Sequence, residues 1–375
     1  KKTDSNEKRG GIYIHIPFCV RKCAYCDFLS APADEKTQAG YVKALQTEIY
    51  QTAKLFSENP YTVDTVFFGG GTPSILAPGH VKALADTLRE SFPFAENAEI
   101  TIECNPGTLD EEKAAVYRQA GINRISFGLQ SANNRELKML GRIHTMEEFV
   151  KSYETARAAG FDNINIDLMS ALPGQTFESF LHTLDTVLAL KPEHISMYSL
   201  ILEEGTALYE HLDRYPALPD EDTERQMYDT ACLQLADNGY HQYEISNFAK
   251  HGYESRHNTN YWRCGEYIGI GPSAHSFFEG KRFFYSRSMD DFNNNKLSFE
   301  GTGGDEEEFI MLSLRLKSGL NYSEFEEKFG YTLPSYIIKK AKEYEKYGYT
   351  NVTDKSISFT PKGFLVSNSI ISELI

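Results

Sequence analysis

No stretch of this 375-residue sequence approaches the ~20 consecutive apolar residues that a membrane-spanning helix needs. The opening "KKTDSNEKRG" is charged where a secretory signal would be apolar. A cytoplasmic location is therefore expected. Basic residues are also in deficit, with 38 Lys and Arg against 53 Asp and Glu and a formal charge of −15. A surface of that sign does not displace counterions from a phosphate backbone or an anionic bilayer, so no nucleic-acid partner is expected. Cysteine is scarce at six residues, too few and too unevenly placed for a disulfide framework. Cys104, Cys232 and Cys264 are scattered and suit small buried side chains. Cys19, Cys23 and Cys26 instead fall within eight positions, and in a reducing compartment such a cluster binds metal or does redox chemistry. Internal repeats are absent too.

What the sequence has in quantity is alternation. Six β-type runs, "GIYIHI", "TVDTVFFGG", "AEITIEC", "INRISFGLQ", "FDNINIDLM" and "EHISMYSL", are separated by segments of helical apolar spacing at 39–56, 79–91, 109–120, 146–159 and 176–190. Gly121 and Gly160 stand where helices should stop. This six-fold β/α pattern predicts an α/β fold built on a parallel sheet, and ligands of such sheets gather at the loops after the strands. Those loops are the cysteine cluster, "GGGTPS", "ECNPGT", "GLQS" and "IDLMSALPGQT". Beyond residue 220 a helix is expected at 222–237, followed by an aromatic, glycine-rich stretch. The last 70 residues predict helices at 305–317, 322–329 and 334–347, a hairpin in "TNVTDKSISFT" and a final helix from 361, a small winged-helix-like unit. Its acidity argues for a lid or docking role rather than DNA binding. Three regions are expected: 1–230, a connecting segment 231–300, and 301–375.

The spacing C-x3-C-x2-C lets three thiolates meet one small inorganic object. Soft thiolates select zinc or iron-sulfur clusters. A structural zinc site wants four ligands, usually recruited as two pairs, and no second pair lies at a suitable spacing, although His15 stands near enough to be weighed as a fourth ligand. A cubane cluster normally takes four cysteines. Three leave one iron open to an outside chelating ligand. "CVRKCAYC" after a first strand and "GGGTP" after a second resemble the radical S-adenosylmethionine superfamily. The resemblance implies a partial (β/α)6 barrel, a 4Fe-4S cluster on Cys19, Cys23 and Cys26, and S-adenosylmethionine reduced by that cluster to methionine and a 5′-deoxyadenosyl radical.

A narrower resemblance covers nearly the whole chain. "YIHIPFC", "CDF", "ECNP", "NRISFGLQS", "LGRIH", "DLMSALPGQT" and "HNTNYW" are similar to the oxygen-independent coproporphyrinogen III dehydrogenases and, more closely, to their HemW-type relatives. Carried over, it implies S-adenosylmethionine contacts from Tyr13, Gly70, Gly71, Thr72, Glu103, Gln130, Arg142 and Asp167, with the Gly69–Gly71 backbone offered to the methionine amino group. The decarboxylating relatives carry a further cysteine two places after the third ligand and a longer segment before the first strand. Phe28 stands in place of that cysteine, and only about ten residues precede the strand, so dehydrogenation is the alternative and heme chaperoning the leading expectation. For heme, the resemblance points to His257, Asn258, Tyr261 and Trp262, with His257 as the iron ligand. Cys264 and His275 are rival candidates. The implied partners are heme and acceptor hemoproteins, with membrane contact only through an acceptor; a homodimer stays open.

Overall fold

The computed structural model describes residues 8–56 and 61–375. Most of the charged opening segment, with the signal-peptide expectation attached to it, lies outside the described residues. Each of the six expected strands forms: β1 (Lys8–Ile16), β2 (Tyr61–Gly70), β3 (Phe94–Cys104), β4 (Arg124–Gln130), β5 (Ile164–Ser170) and β6 (His194–Ser199). They pair in sequence order and in parallel. Between them run the helices Glu35–Leu55, Pro78–Ser91, Glu111–Gln119, Met146–Ala158 and Phe177–Leu190. This is the parallel α/β architecture that the alternation predicts.

Side chains in a strand alternate between faces, and that period sorts the chemistry. On β4, Ile125, Phe127 and Leu129 are fully buried in the apolar core. Arg124, Ser126, Gly128 and Gln130 face the other way and line the lumen of the partial barrel. On β5 the division is Ile164, Ile166 and Leu168 against Asn165, Asp167 and Met169. Burying the outer row of isoleucines, leucines and phenylalanines under helices contributes roughly 1.5–3 kcal/mol per large side chain. The polar row is held by that scaffold.

Residues 231–300 do more than connect. Strands β7 (His241–Gln242) and β8 (Asn247–Ala249) extend the sheet antiparallel beyond β6. At the opposite edge β9 (Tyr267–Ile270) joins β1 in parallel, and β10 (His275–Phe278), β11 (Lys281–Tyr285) and β12 (Leu297–Thr302) follow antiparallel, giving twelve strands. Short helix Arg256–Trp262 packs beneath β1 and β2. The C-terminal unit has its own core, with Phe309, Phe325, Ile337, Ile357 and Phe359 buried among its helices and a three-stranded antiparallel sheet. Among the described residues, no helix is long and apolar enough to cross a membrane.

Candidate functional site

The loops after β1 to β4 and the inward-facing rows of β4, β5 and β6 border one cavity of about 520 Å³, whereas the expected loop after β5 does not line it. All three clustered cysteines line it, as do Tyr13, Gly70, Gly71, Thr72, Glu103, Gln130, Arg142 and Asp167. Eight residues spread over 155 positions of sequence are thus brought to one wall by the strand order.

The cysteine loop is fixed by backbone bonds to three other segments. Cys19 N–H donates to Ala31 O at 3.2 Å, Ala24 N–H to Leu140 O at 2.9 Å, and Leu208 N–H to Ala24 O at 2.8 Å. Cys19 Sγ lies 3.3 Å from Thr72 Oγ1, and an Arg142 N–H points at Cys23 Sγ from 3.7 Å. Burial pushes the Cys26 thiol up, so a free thiolate there is costly and a bound cation is what would hold it deprotonated. His15 is no fourth ligand. Its Nδ1 meets the Tyr13 hydroxyl at 3.1 Å and its Nε2 meets Leu29 O at 3.1 Å.

The glycines serve packing first. A Cβ on Gly70, which sits at φ +109°, would lie 2.6 Å from the His15 ring, and one on Gly71 would lie 2.6 Å from Phe18 O. The Gly70 N–H donates to Glu103 Oε2 at 3.1 Å, Gly71 N–H to Ile16 O at 2.8 Å and Thr72 N–H to Phe18 O at 2.8 Å. Their amides are therefore taken by the protein and are not free for a ligand.

Arg142 is aimed by the turn that carries it. The helix Asn134–Met139 ends with Gly141 in the left-handed region, where Arg142 N–H bonds Leu137 O and Gly141 N–H bonds Lys138 O, a Schellman closure. A capping box between Thr145 and Glu148 then starts the next helix. The guanidinium reaches inward to Asn105 Oδ1 at 2.8 Å and to Gly128 O.

Two carboxyls share the lumen. Burial, reinforced by the charge of Asp167, pushes Glu103 up to about 8. Burial also raises Asp167, against a 2.7 Å hydrogen bond from Asn165 Nδ2. Arg124, only 2 % exposed, lies on the lumen floor and its field favours both carboxylates. Gln130 has φ +74°, a conformation that costs a non-glycine residue about 1–3 kcal/mol. The strain falls at a bulge between Gly128 and Gln130 in the β4–β5 pairing.

The stretch HNTNYW divides. His257, Asn258 and Tyr261 line the cavity from the helix Arg256–Trp262. Trp262 faces away, with the Arg315 guanidinium 4.6 Å from its ring centroid. As an iron ligand, His257 is fully engaged in this structure. It is 1 % exposed, its Nδ1 lies 2.7 Å from Thr65 Oγ1 and its Nε2 lies 2.7 Å from the Tyr261 hydroxyl. Cys264 is buried in the C-terminal core with Phe277 and Phe309 and does not border the cavity. His275, on β10, stacks on Phe284 of the adjacent β11, 3.4 Å from Glu300. Neither rival stands near the site.

Residues 13–187 match the model of the radical SAM superfamily, and residues 306–366 match the HemN C-terminal domain. The heme chaperone HemW of Bacillus subtilis is 35 % identical over 97 % of this chain and 98 % of that protein. This chain belongs to the HemW family. The heme chaperone HemW of Escherichia coli is 42 % identical over 70 % of the chain and 69 % of its own length. The structure of coproporphyrinogen III oxidase (HemN) from Escherichia coli superposes with a TM-score of 0.85 at 26 % identity, covering 98 % of this chain and 90 % of that one.

Several cavity residues escaped the sequence reading: Arg124, Asn105, Asn165, Ser196 and Tyr198. A signal existed. Polar residues at every second position of "RISFGLQ" and "NINIDLM" mark a face that a barrel turns inward.

Proposed function

We propose that this chain is a heme chaperone of the radical S-adenosylmethionine type, binding heme and passing it to acceptor hemoproteins, membrane-associated ones included. Cys19, Cys23 and Cys26 would hold a 4Fe-4S cluster. Tyr13, Gly70, Gly71, Thr72, Glu103, Gln130, Arg142 and Asp167 would hold S-adenosylmethionine beside it, and the pair, when bound, supplies one-electron reduction. Arg142, which points at Cys23, would pair with the cofactor's carboxylate, and Glu103 and Asp167 would offer acceptors to its ammonium; Gly71 keeps the cysteine loop seated beside β2. The convergence of all these residues on one cavity carries this reading.

Heme would meet the helix Arg256–Trp262, where Asn258 and Tyr261 face the cavity. Coordination by His257 requires the Tyr261 hydroxyl to leave Nε2. Trp262 would act on the helix's far side, by packing.

The deciding experiment gives anaerobically reconstituted protein heme, then a heme-free acceptor. A Soret shift followed by transfer of the heme supports the proposal; neither appearing refutes it. The structural likeness to coproporphyrinogen III oxidase favours a second reading, oxidative decarboxylation of a porphyrinogen. Conversion of coproporphyrinogen to protoporphyrinogen by the reduced, S-adenosylmethionine-loaded protein would establish that reading instead.

A further inference from the structure

We propose that His241, His251 and Glu254 form a binding site for a divalent first-row transition-metal ion, separate from the cysteine loop. His241 lies on the edge strand β7, while His251 and Glu254 lie on the turn between β8 and the helix Arg256–Trp262. One ligand atom from each of the three falls within 4.8 Å of the other two, the single such grouping of three among the described residues. His241 Nε2 is 2.7 Å from Glu254 Oε1. The two imidazoles stack with ring centroids 4.3 Å apart and planes 18° from parallel.

The local chain builds this cluster. Tyr253 N–H closes a turn on Lys250 O at 3.0 Å, and Gly252 takes φ +86°, reversing the chain between His251 and Glu254. The Gly252 N–H donates to Glu254 Oε2 at 3.0 Å, which leaves Oε1 turned to His241. His241 Nδ1 is buried without a partner, so Nε2 is the nitrogen the ring presents outward. Nearby cations are engaged elsewhere: Lys250 with Glu193 at 3.6 Å, and Arg256 with Asp64 at 4.0 Å.

Two imidazole nitrogens and one carboxylate oxygen make a borderline donor set. That set suits zinc and its neighbours, whereas magnesium and calcium select oxygen alone. Bonds of about 2.0–2.2 Å place tetrahedral ligands roughly 3.3 Å apart. Rotation of His251, which is exposed, closes the remaining distance. Three protein ligands leave at least one position for water or a partner's group. His241 and Glu254 also border a second cavity of about 670 Å³, shared with Arg256, Asn260 and Lys317. An ion here would tie the sheet edge to the lead-in of the helix that carries His257.

The test is equilibrium dialysis of the full chain against buffered Zn²⁺ after its iron-sulfur cluster has been assembled, with zinc and iron counted per chain. Wild type is expected to take up one zinc without losing iron. His251→Ala and Glu254→Gln should each weaken zinc binding at least about ten-fold, since even outer-shell losses cost ten-fold or more. Iron content and melting temperature should stay unchanged in His251→Ala, whose side chain is exposed. With zinc bound, amide exchange across residues 250–256 should slow in wild type and not in the variants. No uptake by wild type overturns the proposal. So does equal uptake by the His251→Ala/Glu254→Gln double variant, or uptake abolished only when Cys19 and Cys23 are replaced.

Discussion

The ring nitrogen Nε2 of His257 and the hydroxyl of Tyr261 lie 2.7 Å apart, one helical turn from each other on the same face of the helix Arg256–Trp262. The bond occupies the nitrogen that the proposed heme site would need as its iron ligand.

Removing that hydroxyl should therefore release the imidazole. Tyr261→Phe is expected to tighten heme binding several-fold, a net hydrogen bond being worth about 1 kcal/mol, and His257→Ala to abolish the Soret shift. If Tyr261→Phe binds heme more weakly, the hydroxyl itself contacts the ligand and the gating idea fails.

Burial holds His257 down at about 3, His144 at about 3 and His15 at about 4. Each is neutral in the folded chain but takes up a proton on unfolding below about 6.5. Stability is thus intact above that value and is lost as pH falls, each histidine contributing about 1.4 kcal/mol per pH unit down to its folded value. Urea titrations from pH 7 to 5 should show this decline, with a shallower slope in His257→Gln. A slope unchanged by that substitution would count against a neutral buried imidazole.

Glu103, raised to about 8, is mostly protonated at pH 7. A raised acid in the fold stabilises below about 4.5 and loses that contribution as pH rises through 8. Binding a cationic sulfonium and ammonium beside it favours the carboxylate, so S-adenosylmethionine binding at pH 7 should release close to one proton. Calorimetry in buffers of different ionisation enthalpy measures this, and Glu103→Gln should release none. Equal release by the variant would place the titrating group elsewhere.

At Gly71 an added methyl meets Phe18 O at 2.6 Å. Gly71→Ala is expected to cost about 1–3 kcal/mol of stability and to lower iron retention, because Phe18 directly precedes Cys19. An alanine variant with wild-type iron content and melting temperature would show that the loop yields freely.

Replacing Arg142 by Lys keeps the charge and removes the planar fork. Its Schellman turn is backbone-made and should persist. The expected result is full iron content with S-adenosylmethionine affinity reduced about ten-fold or more, roughly the 1.5–3 kcal/mol of a charged hydrogen bond. Loss of iron instead would assign Arg142 to the cysteine loop.

Strands β1 to β6 were legible because each carries its own period-2 pattern between helices long enough to show theirs. The same locality exposed Cys19, Cys23 and Cys26. Strands β7 to β12 were not legible, since runs such as His241–Gln242 and Tyr267–Ile270 are too short to signal a period and become strands only by pairing with β8, β1 or β10.

The sequence by itself determined the parallel α/β order, the strand-to-helix loops and the three clustered thiols, because spacing along a strand or helix is a local property. Tertiary structure alone decided that Arg124 lies beneath two carboxyls, that Trp262 leaves the cavity its helix neighbours line, and that His241, His251 and Glu254 converge. Those outcomes depend on which residues the sheet brings together across many positions, and on what burial then does to their charge and hydrogen bonds.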